Sequence, residues 1–282
     1  MIHVGYYNGR IEPLETLMIP AGDRAVYFGD GVYEALLFRG RVPFGFEEHL
    51  DRFENSCRML RLALPMSRDQ LKAELMKCID ATDSPDGMLY WQLSRGTEMR
   101  HHDFPEPDVR PNLLAYTKPM AMPTFAKKRR LKTVEDTRYL HCNIKTLNLI
   151  PSVMAAQAAK EAGCDEAVFH RGETVTECSH SNILIFKNGV LRTHPADNLI
   201  LPGITRMHLL ALARDLGIPV EETAFTLADL READDVLVTS STVLFSTAEE
   251  IDGVPVGGCA RELCDRLRSA YMEKFNTCTS SK

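Results

Sequence analysis

The chain has 282 residues, enough for one large domain or two moderate ones. Apolar residues make up 44% of it and charged residues 26%, which is the composition of a globular protein and not of a disordered one. The net charge of −6 argues against a nucleic-acid-binding surface, which usually carries a basic excess. No apolar run approaches the roughly 20 residues that cross a bilayer, so no membrane attachment is expected.

Cysteine and histidine usage narrows the class further. None of the eight cysteines forms a C-x-x-C pair, and the N-terminal residues lack the basic and apolar regions of a signal peptide. The cysteines are therefore interpreted as reduced thiols of a cytoplasmic protein. The nine histidines show no zinc-binding spacing, so no metal site is predicted.

The first 118 residues are predicted to form a smaller α+β domain. Asn8-Gly9 between two apolar pairs is a hairpin signal. A helix is expected where apolar residues recur on one face, at positions 50, 53, 57 and 60. Ser67 and Gln70 have the spacing of a capping box and predict the start of a second helix. Strands are expected at residues 32–38, 42–46, 88–94 and 112–117.

A linker is predicted at residues 119–124, where two prolines interrupt any helical or strand periodicity. The larger second domain, residues 125–282, is again α+β. Strands are expected at residues 131–134, 166–170, 175–177, 182–187, 190–193 and 235–239, and helices at residues 152–161, 205–216 and 261–275. Runs of strands with hairpins between them do not fit a doubly wound fold. Gly29-Asp30-Gly31 also lacks the third glycine of a dinucleotide-binding loop.

Lys145 is a lone lysine within an apolar stretch, residues 142–150. Burying an ammonium group is costly unless it is paired or neutralised. A lysine that acts as a nucleophile needs such a site, because desolvation frees its amine. The alternative is an amphipathic lysine whose charged end reaches the surface.

Two hydroxyl-rich segments could bind an anion. In residues 201–206 a glycine and a threonine are expected to begin a helix. The free N–H groups at such a start can bind a phosphate. The alternative is an ordinary N-terminal cap without a ligand. Residues 239–242 place four consecutive hydroxyl side chains at the end of a strand. They could complete a phosphate site or form a common polar turn.

The charged loop at residues 95–105 carries Arg100 and His102, two positions apart. A guanidinium and an imidazole together can hold a carboxylate. A solvated loop without a ligand is the alternative.

Taken together, these segments resemble the fold-type IV family of pyridoxal 5′-phosphate (PLP) enzymes, the class IV aminotransferases, and within it the branch that acts on D-amino acids. The matching stretches follow the family's order over nearly the whole chain. They are residues 28–34, 49–52, 95–105, 142–149, 174–177, 193–196, 203–206 and 238–242.

The resemblance implies a role for each candidate cofactor-binding residue. Lys145 would hold PLP as a Schiff base and carry a proton between the substrate and the cofactor. Glu177 would pair with the ring nitrogen and keep it protonated, so that the ring withdraws electrons. Leu201 would pack on the ring. The phosphate would be bound by Arg52, Ile204, Thr205, Ser240 and Ser241.

The resemblance also implies the substrate and the assembly. Tyr33, Arg100 and His102 would bind the substrate α-carboxylate, the last two from a neighbouring subunit, so that the active enzyme is a homodimer. The fold would consist of two α+β domains with the cofactor in the cleft between them. The reaction would be a ping-pong exchange of amino groups between D-amino acids and 2-keto acids.

One segment departs from the family pattern, and rival functions share the same fold. Cys178 and His180 replace smaller residues beside Glu177, which bears on substrate specificity if His180 does not point to solvent. A branched-chain L-amino-acid aminotransferase would not need the Arg100 and His102 pair, and an aminodeoxychorismate lyase would use the same lysine for elimination. A PLP-binding protein without turnover is the alternative from another functional class.

Overall fold

The computed structural model describes residues 3–124 and 127–280. Phe125 and Ala126, at the predicted start of the second domain, lie outside the described residues, as do the first two and last two residues of the chain. The chain divides into two compact units. The first comprises Met1–Met122, Ile144–Asn148 and Thr277–Lys282, and the second comprises Pro123–Asn143 and Leu149–Asn276. The short stretch that contains Lys145 therefore belongs with the first unit.

The first unit is built on a six-stranded antiparallel sheet with the order β2-β1-β6-β5-β3-β4. Its strands are β1 (Val4–Tyr7), β2 (Arg10–Pro13), β3 (Gly31–Arg39), β4 (Val42–Pro43), β5 (Gly87–Ser94) and β6 (Asn112–Pro119). Its helices are α1 (Arg24–Phe28), α2 (Phe46–Met59) and α3 (Arg68–Ala81). Asn8 and Gly9 form the predicted hairpin turn, with positive φ angles of 47° and 92°, as a type I′ turn requires.

The apolar stripe predicted for α2 is confirmed. Leu50, Phe53 and Cys57 are buried, and they pack in one cluster with Trp91 of β5. The capping box at Ser67 is also present, since its hydroxyl accepts the Gln70 N–H and the Gln70 side chain accepts the Ser67 N–H. The strand predicted at residues 42–46 is too long, because the chain turns at Gly45 and enters α2 at the next residue.

The second unit contains a mixed ten-stranded sheet with the order β12-β11-β10-β14-β15-β7-β8-β9-β13, to which β16 is added beside β15. Its strands are β7 (Arg129–Glu135), β8 (Glu166–Arg171), β9 (Thr174–Cys178), β10 (Asn182–Lys187), β11 (Val190–Thr193), β12 (Val220–Glu222), β13 (Phe225–Thr226), β14 (Asp235–Ser240), β15 (Leu244–Ile251) and β16 (Val254–Pro255). The helices are α4 (Ile150–Glu161), α5 (Ile204–Asp215), α6 (Leu227–Arg231) and α7 (Arg261–Thr279).

These elements confirm the predicted α+β class. The sheet of the second unit pairs β7 with β8 and β15, and β11 with β12, in parallel, while its other neighbouring strands run antiparallel. Among residues 3–124 and 127–280, no helix has both the length and the apolar character that crossing a membrane requires.

Candidate active site

Lys145 lies beside β3, and its main chain is fixed on both sides. Its carbonyl accepts the Tyr33 N–H at 2.9 Å, and its own N–H donates to the Ser56 hydroxyl at 3.3 Å. Its Nζ lies 4.2 Å from the centre of the Tyr33 ring. Within the described residues no carboxylate pairs with this ammonium group. The structure thus holds the backbone of the lysine and leaves its amine available for chemistry.

Arg52 is part of a buried cluster in the first unit. Its Nε and Nη2 donate to the two carboxylate oxygens of Glu34 at 2.7 and 2.8 Å, and His49 Nδ1 lies 2.7 Å from Glu34 Oε2. Burial would raise the pKa of Glu34, but the charges of Arg52 and His49 outweigh it and hold that pKa well below its ordinary value. Burial lowers the pKa of His49, which Glu34 offsets only in part. Glu34 therefore fixes the orientation of the guanidinium predicted to bind phosphate.

The loop at residues 95–105 is anchored to the first unit through Phe28. The Arg100 guanidinium lies 5.0 Å from the centre of the Phe28 ring, and the His102 ring lies 5.4 Å from it. Arg24 also lies over this ring, at 5.0 Å, and donates from Nη1 to the His101 carbonyl at 3.0 Å. Arg100 and His102, the two residues of this loop predicted to bind a carboxylate, are both exposed and both contact the Phe28 ring.

Glu177 is buried in the second unit, where three donors surround its carboxylate. Arg138 Nη1 donates to Oε1 at 2.5 Å, and Oε2 accepts from Asn182 Nδ2 at 2.9 Å and from the Leu201 N–H at 3.0 Å. Burial raises the pKa of Glu177 to about 7, although Arg138 opposes the rise. Two of the predicted cofactor-binding residues, Glu177 and Leu201, are thus in direct contact.

The predicted phosphate-binding residues of the second unit lie at the start of α5 and at the end of β14 or just after it, and these two elements pack together. Gly203 precedes α5 without a side-chain cap, so the free N–H groups of the first turn, from Ile204 and Thr205 onward, can bind an anion. The Ser240 hydroxyl accepts the Val243 N–H at 3.2 Å in the turn after β14, where Ser241 follows it.

Gly203 is required by its surroundings. A Cβ built there would lie 1.9 Å from Asn182 Oδ1. Asn182 cannot easily move aside, because its amide nitrogen also donates to the Leu201 carbonyl at 2.9 Å. Glycine at this position therefore lets α5 begin beside the side chain that holds Glu177.

Cys178 ends β9, and Ser179, His180 and Ser181 connect it to β10. The His180 ring is about half exposed (54%) and lies 3.1 Å from the buried carboxylate of Glu166, a position that favours its solvent-facing interpretation. Burial raises the pKa of the Cys178 thiol well above its usual range. Among the described residues, the buried hydroxyls of Ser179 and Thr239 have no hydrogen-bond partner, which is typical of polar atoms that meet a ligand or water.

Sequence reasoning missed Glu34, Phe28, Arg138 and Asn182 as members of these clusters. Three of them lie within or beside segments already singled out. Arg138 had only one local signal, which is Asp136 two residues before it, directly after β7. In the described parts of the chain, no group of three or more metal-binding side chains could hold a metal ion.

Comparison with known proteins identifies the family. The model of the class IV aminotransferases matches residues 31–251. The D-alanine aminotransferase of Listeria monocytogenes serotype 4b (strain F2365) is 42% identical over 274 residues, covering 95% of this chain and 94% of the relative. The chain belongs to the class IV aminotransferase family. The D-alanine aminotransferase of Staphylococcus aureus (strain MSSA476) is 39% identical over 89% of this chain and 90% of its own.

Solved structures of class IV aminotransferases agree in fold. The branched-chain amino acid aminotransferase of Escherichia coli superimposes with a TM-score of 0.89 at 21% identity, covering 100% of this chain and 97% of that one. The branched-chain aminotransferase of the thermophilic archaeon Thermoproteus uzoniensis, solved with norvaline, gives 0.85 at 23% identity, covering 98% and 96%. These structures confirm fold type IV. The family match and the D-alanine aminotransferase relatives confirm the enzyme class and its PLP cofactor.

Proposed function

We propose that this chain is a transaminase of D-amino acids, which exchanges amino groups between D-alanine or D-glutamate and the corresponding 2-keto acids. The observation that carries the proposal is the identity of 42% over 95% of the chain to a D-alanine aminotransferase. The branched-chain enzymes among the structural relatives are below 25% identical, so their likeness concerns the fold alone.

The residues of the second unit fit a pyridine ring and a phosphate ester. Glu177 offers a buried carboxylate to the ring nitrogen, and Leu201 lies against that carboxylate. The uncapped start of α5 offers donors to a phosphate. So does the Thr239 hydroxyl beside Ser240 and Ser241, which has no hydrogen-bond partner among the described residues. PLP, when bound, supplies an aldehyde that forms a Schiff base with an amine and a ring that withdraws electrons.

Residues of the first unit would supply the amine and part of the phosphate site. We assign the Schiff-base amine to Lys145, which would afterwards move the proton at the substrate Cα. Arg52, oriented by Glu34, would contribute a charge-assisted contact to the phosphate.

Substrate recognition would rest on the α-carboxylate. Tyr33, Arg100 and His102 would bind it, with the last two donated by a second subunit of a homodimer.

An apolar patch on α4, with Ile150, Val153 and Met154 at 58–73% exposure, supports a subunit interface, because monomeric proteins rarely expose such patches. All eight cysteines are unpaired, which supports a reducing, cytoplasmic setting.

The test is a panel of D- and L-amino acids added to the purified holoenzyme, with the visible absorption of the cofactor as the readout. D-alanine should bleach the band, and 2-oxoglutarate should restore it. Preference for L-leucine or L-valine would replace the proposal with the branched-chain activity. Pyruvate release from added aminodeoxychorismate, with no amino acid bleaching the band, would indicate the lyase, and inactivity towards this substrate and every amino acid would indicate a binding protein.

The carboxylate site is tested separately by Arg100→Leu. Loss of a charge-assisted hydrogen bond, worth about 1.5–3 kcal/mol, should raise KM for D-alanine about ten- to a hundredfold and relax the preference for the D-form. Arg110→Leu, which removes another exposed arginine from the neighbouring stretch, is the matched control. Equal effects of the two substitutions would refute the assignment.

A further inference from the structure

Charges of alternating sign form a row behind Glu177, in which the carboxylate Asp136 is buried and the arginines Arg138 and Arg171 are partly buried. Asp136 accepts two hydrogen bonds from the Arg138 guanidinium, from Nε and Nη2 at 2.9 Å each, and a third from the Arg138 N–H at 3.0 Å. On its other side Asp136 accepts from Arg171 Nε at 3.1 Å. Arg138 thus stands between two carboxylates, whereas Arg171, within the described part of the chain, pairs with the carboxylate of Asp136 and not with that of Glu177.

The geometry of Arg138 leaves one donor group for Glu177. Nε and Nη2 are engaged by Asp136, and Nη2 also donates to the Leu199 carbonyl at 3.2 Å. The guanidinium centre lies 4.3 Å from the centre of the Phe169 ring. With the plane fixed in this way, Nη1 is directed at Glu177 Oε1. A lysine keeps the charge but lacks the planar fork that makes these contacts together.

We propose that Arg138 is a positioning residue that keeps Glu177 ionised and correctly oriented, so that Glu177 can hold the proton on the ring nitrogen of the cofactor. The inference rests on the proposed PLP-dependent function. A neutral carboxylic acid at this place could not stabilise a cationic ring, whereas an anion can. Since burial by itself favours the neutral acid, a partner with a permanent positive charge is needed, and arginine supplies it.

The other groups around Glu177 do not supply that charge. Asp136 raises the pKa of Glu177, as a like charge does, and its own charge is shared by Arg138 and Arg171. The thiols of Cys142 and Cys178 lie close enough to interact electrostatically with Glu177, and burial raises the pKa of both. Asn182 and Leu201 contribute neutral donors only. Among the residues that the structure describes, Arg138 is therefore the cation that contacts this carboxylate.

The experiment compares Arg138→Met, Arg138→Lys and Arg171→Met in the full-length holoenzyme loaded with PLP labelled with nitrogen-15 in its ring. The nitrogen chemical shift reports ring protonation across a pH series. We expect Arg138→Met to move the ring towards its neutral form at neutral pH and Arg138→Lys to restore protonation in part. Arg171→Met removes the same charge from the far side of Asp136 and should leave the nitrogen signal close to that of the wild type.

A second readout uses infrared difference spectra of the full-length chain before PLP is added, with Glu177→Gln to assign the carboxyl band. Arg138→Met should raise the pKa of Glu177 from about 7 by roughly one to three units. Circular dichroism identifies variants that have lost their fold. In folded protein, an unchanged nitrogen signal and an unchanged carboxyl titration in Arg138→Met would overturn the inference, and so would an equal change in Arg171→Met.

Failure of this inference is distinguishable from failure of the proposed function. Absence of D-amino-acid turnover in the wild type would refute the proposed substrate class but not the inference, because the nitrogen signal requires only bound cofactor. Conversely, full protonation of the ring in folded Arg138→Met would refute the role of Arg138 and leave the substrate assignment intact.

Discussion

At the residue scale, the two groups proposed for chemistry are held in opposite ways. The main chain of Lys145 is bound by Tyr33 and Ser56, while its amine meets only an aromatic ring within the described residues. Every oxygen of the Glu177 carboxylate is bound by a donor. The first arrangement suits a group that must move between partners, and the second suits one that must keep its charge and direction.

Substitution of Lys145 by alanine should abolish transamination, because both the covalent link and the proton carrier are lost. We expect a loss of more than about a hundredfold, the low end of what a positioned proton-transfer group contributes. The measurement is keto-acid formation from D-alanine, with Lys160→Ala as a control at an exposed lysine of α4. Near wild-type turnover in folded Lys145→Ala, without added amines, would refute the assignment.

Glu177 makes the stability of the chain without PLP depend on pH. Its pKa in the folded chain is raised to about 7, so the folded state favours the protonated acid. The contribution of Glu177 to the free energy of unfolding is therefore fully present below the ordinary carboxyl pKa near 4.5, and it is lost as the pH rises to about 7. A shift of this size corresponds to a loss on the order of 3 kcal/mol. Urea unfolding of Glu177→Gln across this range should lack that loss, and identical pH profiles for both chains would contradict it.

Sequence identified the residues with local signals and missed those defined by distant partners. Lys145 stands out because its neighbours are apolar, and the start of α5 because a glycine precedes a hydroxyl residue. Arg138 and Glu177 are 39 positions apart, and their contact depends on how β7, β8 and β9 align in the sheet. No periodicity encodes such an alignment. The same holds for Glu34, whose partner Arg52 lies on a helix and not on its own strand.

At the scale of elements, prediction succeeded where periodicity was long. α4, α5 and α7 begin and end within four residues of their predicted limits, and α3 begins directly after its predicted cap, because their apolar spacing or caps are explicit. The five-residue helices α1 and α6 were missed, since one turn carries too few residues for a periodic signal. The strand β15 was also missed, because it follows the turn of hydroxyl residues directly.

The start of α5 offers a test of packing against the site. Gly203→Ala places a methyl group against Asn182 Oδ1 and should cost about 1–3 kcal/mol of stability, the usual effect of overpacking. It should also weaken PLP retention, because Asn182 and Glu177 must shift. The free energy of unfolding and the cofactor content after dialysis measure both effects. Gly22→Ala, whose new methyl group would make only ordinary contacts, is the control. Full cofactor retention by Gly203→Ala would contradict this prediction, because it would show that Asn182 can shift without weakening the binding of PLP.

At the scale of the whole molecule, the apolar patch on α4 predicts the assembly. Ile150→Lys places a charge where a homodimer interface would be buried and should shift the protein towards monomers. Activity should fall with it if the partner subunit supplies Arg100 and His102. Light scattering after size exclusion gives the mass, and Gln157→Lys, at an exposed polar position of the same helix, is the control. A dimer unchanged by Ile150→Lys would place the interface elsewhere.

The interrupted course of the chain through its two units bears on the order in which the protein is made. Ile144–Asn148 belongs with the first unit, yet it is synthesised after Pro123–Asn143 of the second. A ribosome that has synthesised only the first 122 residues has not yet made the carbonyl that accepts the Tyr33 N–H, nor the Leu147 N–H that donates to Gly31. The sheet can form early, but its edge at Gly31 and Tyr33 gains these partners only when the lysine segment emerges. Lys145, the residue proposed for the chemistry, is thus among the last residues to join the first unit.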